Sequence, residues 1–193
     1  MKFIIGSTLI LFAILVFGLT YAPIIQQEIS YSLKSKNVER NRVSNEISPV
    51  DFNFGIIIPK IGANTHVIEN VNPFESKEYQ IALTKGVAHA KGSALPGEVG
   101  NIFLFSHSSS DFLNATKYNS IFYLLSKLES GDQIKLFFRD MVYDYSVTDK
   151  MIVSSSAINY LTDSSGHATL TLMTCWPPGT SIKRLIVRAT LDK

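Results

Sequence analysis

A chain of 193 residues with a formal net charge of +2 and 46% apolar residues holds one ordinary domain plus an appendage. That charge balance excludes nucleic acid or a strongly anionic surface as the main partner. Cys175 is the single cysteine, which excludes an internal disulfide and a metal site built on paired thiolates.

The appendage comes first. No charged residue occurs from Phe3 to Ala22, and a helix of about 20 residues rising 1.5 Å each spans the hydrocarbon core of a bilayer. Leu19-Thr20-Tyr21-Ala22-Pro23 lacks a small-x-small cleavage site, so the pattern predicts an uncleaved transmembrane signal anchor over residues 1–22, with a cleaved signal peptide as the other reading. Lys34, Lys36, Arg40 and Arg42 follow the run whereas Lys2 alone precedes it. The positive-inside count by itself therefore leans towards a cytoplasmic domain. Residues 23–50 are polar and mixed, and read as a stalk that lifts a domain over residues 51–193 away from the membrane.

From Asp51 the pattern turns β-rich. Strands are predicted at Phe54–Ile58, Thr65–Glu69, Gly100–Ser106, Gln133–Phe138, Met141–Thr148, Met151–Val153, Ala168–Cys175 and Lys183–Leu191, with a tight hairpin turn at Arg139-Asp140. Short helical segments are predicted at Phe74–Leu83, Ile121–Leu128 and Ala157–Leu161, the middle one closing at Ser130-Gly131-Asp132. Short strands with this turn punctuation fit a closed barrel or a sandwich, an all-β fold with short helices.

The chemistry concentrates near the end. In Thr169 to Cys175, Leu170 and Leu172 point one way, and Thr171, Met173 and Cys175 the other. This describes a half-buried strand that delivers a thiol at its last residue, on the face away from the core. Trp176-Pro177-Pro178-Gly179 cannot extend it, because two prolines remove ladder donors and glycine permits a sharp reversal. In the returning strand Leu185, Val187 and Ala189 share one face and Arg184, Ile186 and Arg188 the other, so a hairpin brings Arg184 near Cys175. A thiol beside a guanidinium fits a nucleophile with an anion stabiliser, and equally a packed cysteine beside a surface arginine. Spacing alone leaves both readings open.

Thr171-Leu172-Met173-Thr174-Cys175, followed after a short loop by Arg184-Leu185-Ile186-Val187, resembles the signature of the sortases, membrane-anchored cysteine transpeptidases. Upstream, Gly86-Val87-Ala88-His89, Leu95 to Asn101 and Ile102 to His107 match a second block, and Ile58-Pro59-Lys60-Ile61-Gly62 resembles the family's opening strand. The resemblance spans most of residues 54–191. It implies a closed eight-stranded β-barrel preceded by one transmembrane helix, with the amino terminus inside and the catalytic domain outside the cell membrane. It also implies that Cys175 attacks the threonine carbonyl of a sorting motif similar to Leu-Pro-x-Thr-Gly in a secreted protein. His107 then serves as acid and base and Arg184 as the oxyanion donor. The acyl group passes to an amine from a cell-wall precursor or from a lysine of another surface protein. Two departures bear on subclass: His107 lies in Ser106-His107-Ser108-Ser109-Ser110 where relatives usually have glycine before the histidine, and the loop from Trp176 to Lys183 is short. No Asp-Pro-aromatic anchor of a lid precedes the first strand, since Asn72-Pro73-Phe74 comes too late.

Among the four histidines, His66 and His167 read as surface residues, and His89 as one that holds backbone by hydrogen bonds. His107 alone ends an apolar strand and opens a polar loop, a place that by itself fits a structural histidine better than a proton carrier near neutral pH; the resemblance to sortases implies the proton carrier. No cofactor is expected. Glu69, Glu75 and Glu78 would be the carboxylates for calcium, which some sortases bind, and read here as solvated. Ser108 to Ser110 lack the Gly-x-Ser-x-Gly elbow of a serine nucleophile. Competing functions are a cysteine endopeptidase with the same three residues, a non-catalytic surface-binding barrel, and a small secreted β-protein with a cleaved leader.

Overall fold

The computed structural model describes residues 10–12, 15, 29, 47–108, 121–156, 160 and 166–192. The chain divides into two compact units, Met1–Asn45 and Glu46–Lys193. In the first, Ile10, Leu11, Phe12 and Leu15 are helical and exposed. Among the described residues no helix is long and apolar enough to cross a membrane. Most of the anchor predicted over 1–22, most of the stalk over 23–50, and the helix expected at 157–161 apart from Tyr160 lie outside the described residues.

The second unit is a closed barrel of eight strands: β1 (Phe54–Ile58), β2 (Ala63–Val71), β3 (Val87–Ala90), β4 (Gly100–Phe105), β5 (Gln133–Phe138), β6 (Met141–Ser154), β7 (Ala168–Trp176) and β8 (Lys183–Leu191). Around the barrel the order is β1-β2-β3-β4-β7-β8-β6-β5. β2 with β3 and β4 with β7 run parallel, and the other neighbours run antiparallel. Among the described residues, one α-helix, α1 (Ser76–Leu83), and 3-10 turns at Pro59–Ile61 and Tyr123–Lys127 join them.

The expected count of eight strands is right, but two members differ. β3 reads Val-Ala-His-Ala, too short and too alanine-rich for local propensity to mark it as a strand. It forms because all four residues are buried between β2 and β4. Conversely, the strands expected at Met141–Thr148 and Met151–Val153 are one strand, β6. Its register against β8 shifts between Val147 and Asp149, as a bulge inserts an extra residue and bends the strand without ending it. Polar Thr148-Asp149-Lys150 is therefore a bulge and not a loop. The Arg139-Asp140 turn is as expected: both residues have positive φ, 51° and 63°, which a two-residue type I′ hairpin requires.

Alternation along the strands builds two apolar layers. Ile102 and Leu104 of β4, Leu170 and Leu172 of β7, and Leu185, Val187 and Ala189 of β8 fill the barrel, each large side chain contributing about 1.5–3 kcal/mol through burial. Phe103 and Phe105 point outward with Ala88 and Ala90, and form a second cluster with Ala82 and Leu83 of α1. At the start of α1, Glu78 Oε1 accepts the Asn72 N–H at 2.8 Å. At its end, the Thr84 hydroxyl donates to Ile81 O at 2.7 Å. Through Ala82 and Leu83 the helix packs on the outer face of the wall, next to β2 and β3.

His89 of β3 is buried and ties the wall together. The Asn70 N–H donates to its Nδ1 at 3.2 Å, so Nε2 carries the proton and donates to Ala94 O at 3.0 Å. Burial pushes His89 below the usual histidine value, against smaller opposing effects from the Ala94 and Ser93 bonds and the charges of Glu69 and Glu98. A folded-state value below the unfolded one means that the unfolded chain binds the extra proton. The stability from neutral His89 is thus present above pH ~6.5 and is lost as pH falls from there through the lower folded-state value, by at most about 1.4 kcal/mol per pH unit. The thermal unfolding midpoint is expected to fall between pH 7 and pH 5, and less steeply in His89→Gln; equal slopes would assign the loss to other groups.

Candidate active site

The parallel β4–β7 ladder ends with Phe105 opposite Met173. Two further contacts carry its register onward: the Ser106 N–H donates to Met173 O at 3.2 Å, and the Thr174 hydroxyl donates to Ser106 O at 2.9 Å. One more step along both chains brings His107 beside Cys175. On the other side of β7, Cys175 pairs directly with Arg184 of β8. Neighbouring strands lie about 4.8 Å apart. His107, Cys175 and Arg184 therefore form a row across three adjacent strand ends.

All three line one cavity of about 950 Å³. Tyr79, Ile81 and Leu83 of α1, with Phe105 and Met173, supply its apolar wall, and Gly179, Thr180 and Ser181 of the β7–β8 loop border it near Arg184. Among the described residues that line it there is no carboxylate. Cys175 is free and half-buried. His107 Nε2 lies 3.3 Å from Gln80 Oε1. Arg184 Nη1 donates to Ser181 O and Lys183 O, both at 3.0 Å, which ties the guanidinium to the loop. That loop opens on a cis Trp176–Pro177 bond, turns at Gly179 with φ 80°, and is closed by the Thr180 N–H and hydroxyl, both donating to Pro177 O.

The structure thus brings together the three residues singled out from the sequence, and corrects their surroundings. The outer face of β7 is not an open groove. Thr171 is buried and donates to Asn101 Oδ1 at 2.8 Å, and Met173 packs on the second apolar cluster. The second apolar cluster covers this part of the face. His66 is not simply a surface residue, because its Nδ1 lies 2.9 Å from Asp51 Oδ2. His167 is exposed. Glu78 serves the start of α1, as described above, and Glu69 and Glu75 are exposed. The α1 wall and Gln80 were missed from the sequence: nothing in Ser76–Leu83 carries a motif, and only the packing of the helix reveals them.

A family model described as Sortase domain matches residues 56–192. The chain belongs to the sortase family. Sortase D of Bacillus subtilis (strain 168) is 27% identical over 164 residues, covering 83% of this chain and 74% of that relative. Sortase A of Streptococcus agalactiae is 27% identical over 139 residues, covering 72% of this sortase but only 52% of the relative, so the match spans about half of that protein. Among solved structures, a sortase D5 transpeptidase of Clostridium perfringens superposes with a TM-score of 0.60 at 25% identity, covering 91% of this chain and 99% of that one. A lid mutant of sortase A from Corynebacterium diphtheriae gives a TM-score of 0.61 at 24% identity over 77% of this chain and 74% of that one, a likeness of fold. By family this sortase is a cysteine transpeptidase, with similarity spread over relatives designated A, C and D.

Proposed function

We propose that this sortase cleaves a sorting motif similar to Leu-Pro-x-Thr-Gly in secreted proteins through Cys175, with His107 and Arg184 completing the site. The observation that carries the reading is the row of these three residues at the ends of β4, β7 and β8, His107 just past β4, all lining one cavity. Cys175 Sγ adds to the threonine carbonyl, and Arg184 donates to the oxygen as negative charge develops on it. The C–N bond then breaks as His107 gives a proton to the leaving amine. In the second half an incoming amine, from a cell-wall precursor or a lysine of another surface protein, loses a proton to His107 and displaces the thiol. The proposal includes an anchor over residues 1–22, a stalk over 23–50 and an extracytoplasmic catalytic domain over 51–193.

Intact-mass spectrometry of the full chain in detergent micelles, with a library of Leu-Pro-x-Thr-x peptides and with or without an added amine, tests this reading. A covalent adduct on Cys175 that converts to an amine-linked product is the expected result. Release to water alone would make the enzyme an endopeptidase, and no adduct would overturn the assignment. Arg184→Ala is expected to lose 10² to 10³ in kcat, about 2.7–4 kcal/mol, as for removal of an oxyanion donor. Arg184→Lys should recover part of this, because a point charge lacks the guanidinium's fixed fork of donors. Wild-type turnover in Arg184→Ala would remove it from the site.

A further inference from the structure

Gln80 is exposed on α1, with Oε1 3.3 Å from His107 Nε2. An amide oxygen can only accept, so the proton of this bond lies on Nε2. In the neutral ring the lone pair then belongs to Nδ1. Building on the reading of His107 as acid and base, we infer that Gln80 is its positioning residue, fixing the ring and holding a proton on Nε2 so that proton exchange with the reacting groups runs through Nδ1.

The helix that carries Gln80 is anchored by packing on either side of it. Ala82 and Leu83 are buried on the outer cluster, and Tyr79 meets Phe105 edge-on with ring centroids 6.4 Å apart. Tyr79, Gln80, Ile81, Leu83 and Thr84 all line the cavity, so the last turns of the helix border it. A side chain placed from such a helix holds its partner more closely than one carried on a loop.

The choice of an amide also has a chemical consequence. Among the described residues lining the cavity, the titratable or charged groups around His107 are Tyr79 from α1, Cys175 from β7 and Arg184 from β8. A carboxylate at position 80 would add negative charge beside the imidazolium and favour its protonated form. Gln80 accepts the hydrogen bond without adding charge on that side of the ring. In acylation the S–C bond forms, the C–N bond breaks, and the Nδ1 proton passes to the leaving amine. In deacylation Nδ1 takes a proton from the incoming amine as the new C–N bond forms and S–C breaks.

The test uses the full chain in detergent micelles. Gln80→Ala is expected to lower kcat about tenfold with KM within about twofold of wild type, a fraction of what an acid-base group contributes. Gln80→Glu keeps the acceptor; it should retain most turnover and move the acid limb of kcat/KM to higher pH. Nitrogen-15 spectra of wild-type His107, assigned by their loss in His107→Ala, should show a protonated Nε2 and a bare Nδ1 in the neutral ring. A proton on Nδ1 there, wild-type kcat with an unchanged acid limb in Gln80→Ala, or a Glu variant as slow as the Ala variant would each overturn the role. The spectra need no turnover, so they judge Gln80 even where no Cys175 adduct forms. An adduct alongside an indifferent Gln80→Ala would sink Gln80 and leave the function standing.

Discussion

Cys175→Ala is expected to unfold at close to the wild-type temperature and to form no adduct with any Leu-Pro-x-Thr-x peptide. The fold survives because β7 is held by Leu170 and Leu172, both fully buried, whereas Cys175 is half-buried at the cavity. Removing its sulfur opens space beside the site and leaves no sealed void in the core, so the 2–5 kcal/mol of a Leu→Ala core truncation does not apply. The chemistry does not survive, because the hydroxyls among the described lining residues, such as Ser106, Ser108 and Thr174, lack a thiol's nucleophilicity. Thr174 already donates its hydroxyl to Ser106 O at 2.9 Å and is buried. A serine or threonine hydroxyl is also far weaker as a nucleophile than a thiol unless an adjacent base activates it. Cys175→Ser should accordingly fall nearly as far as Cys175→Ala. Intact mass together with a thermal melt checks both parts. An adduct on the Ala variant would move the nucleophile elsewhere.

The facing of β7 and β8 was legible because alternation is local. Leu170 and Leu172, then Leu185, Val187 and Ala189, point into the barrel as their period of two requires. The turn between them was legible because Pro177, Pro178 and Gly179 leave the chain few alternatives. Pairing Cys175 with Arg184 then needs only a short hairpin. His107 is a different case. It reaches Cys175 through a parallel pairing of strands 68 residues apart, with Thr174 bonded to Ser106, and periodicity carries no information about which distant strands become neighbours. Family resemblance identified the residue, and the ladder accounts for its place. β3 was hidden for a related reason, since Val87–Ala90 is a strand only because β2 and β4 flank it. The cavity wall was hidden because Tyr79, Gln80 and Ile81 belong to a short helix whose helical period does not say what it covers.

His107→Ala is expected to lose between about 10² and 10⁴ in kcat on a peptide substrate, the range for a positioned acid or base. The size of that loss alone does not separate two roles: His107 can act by protonating the leaving amine, or by pairing as an imidazolium with the Cys175 thiolate and so enriching the attacking form. The leaving group separates them. An amine leaves badly unless protonated, while an alcohol leaves as a much weaker base. Replacing the amide after threonine with an ester therefore removes most of the need for an acid and leaves the need for a thiolate unchanged. If His107 is the acid, the variant's deficit should shrink markedly on the ester. If it acts only through the thiolate, the deficit should be the same on both. Added imidazole gives a second arm, because a cavity of about 950 Å³ that His107 itself lines has room for the small ring. Rescue on the amide but little further gain on the ester is the expected pattern, and equal deficits on the two substrates would remove proton donation to the leaving group from the role of His107.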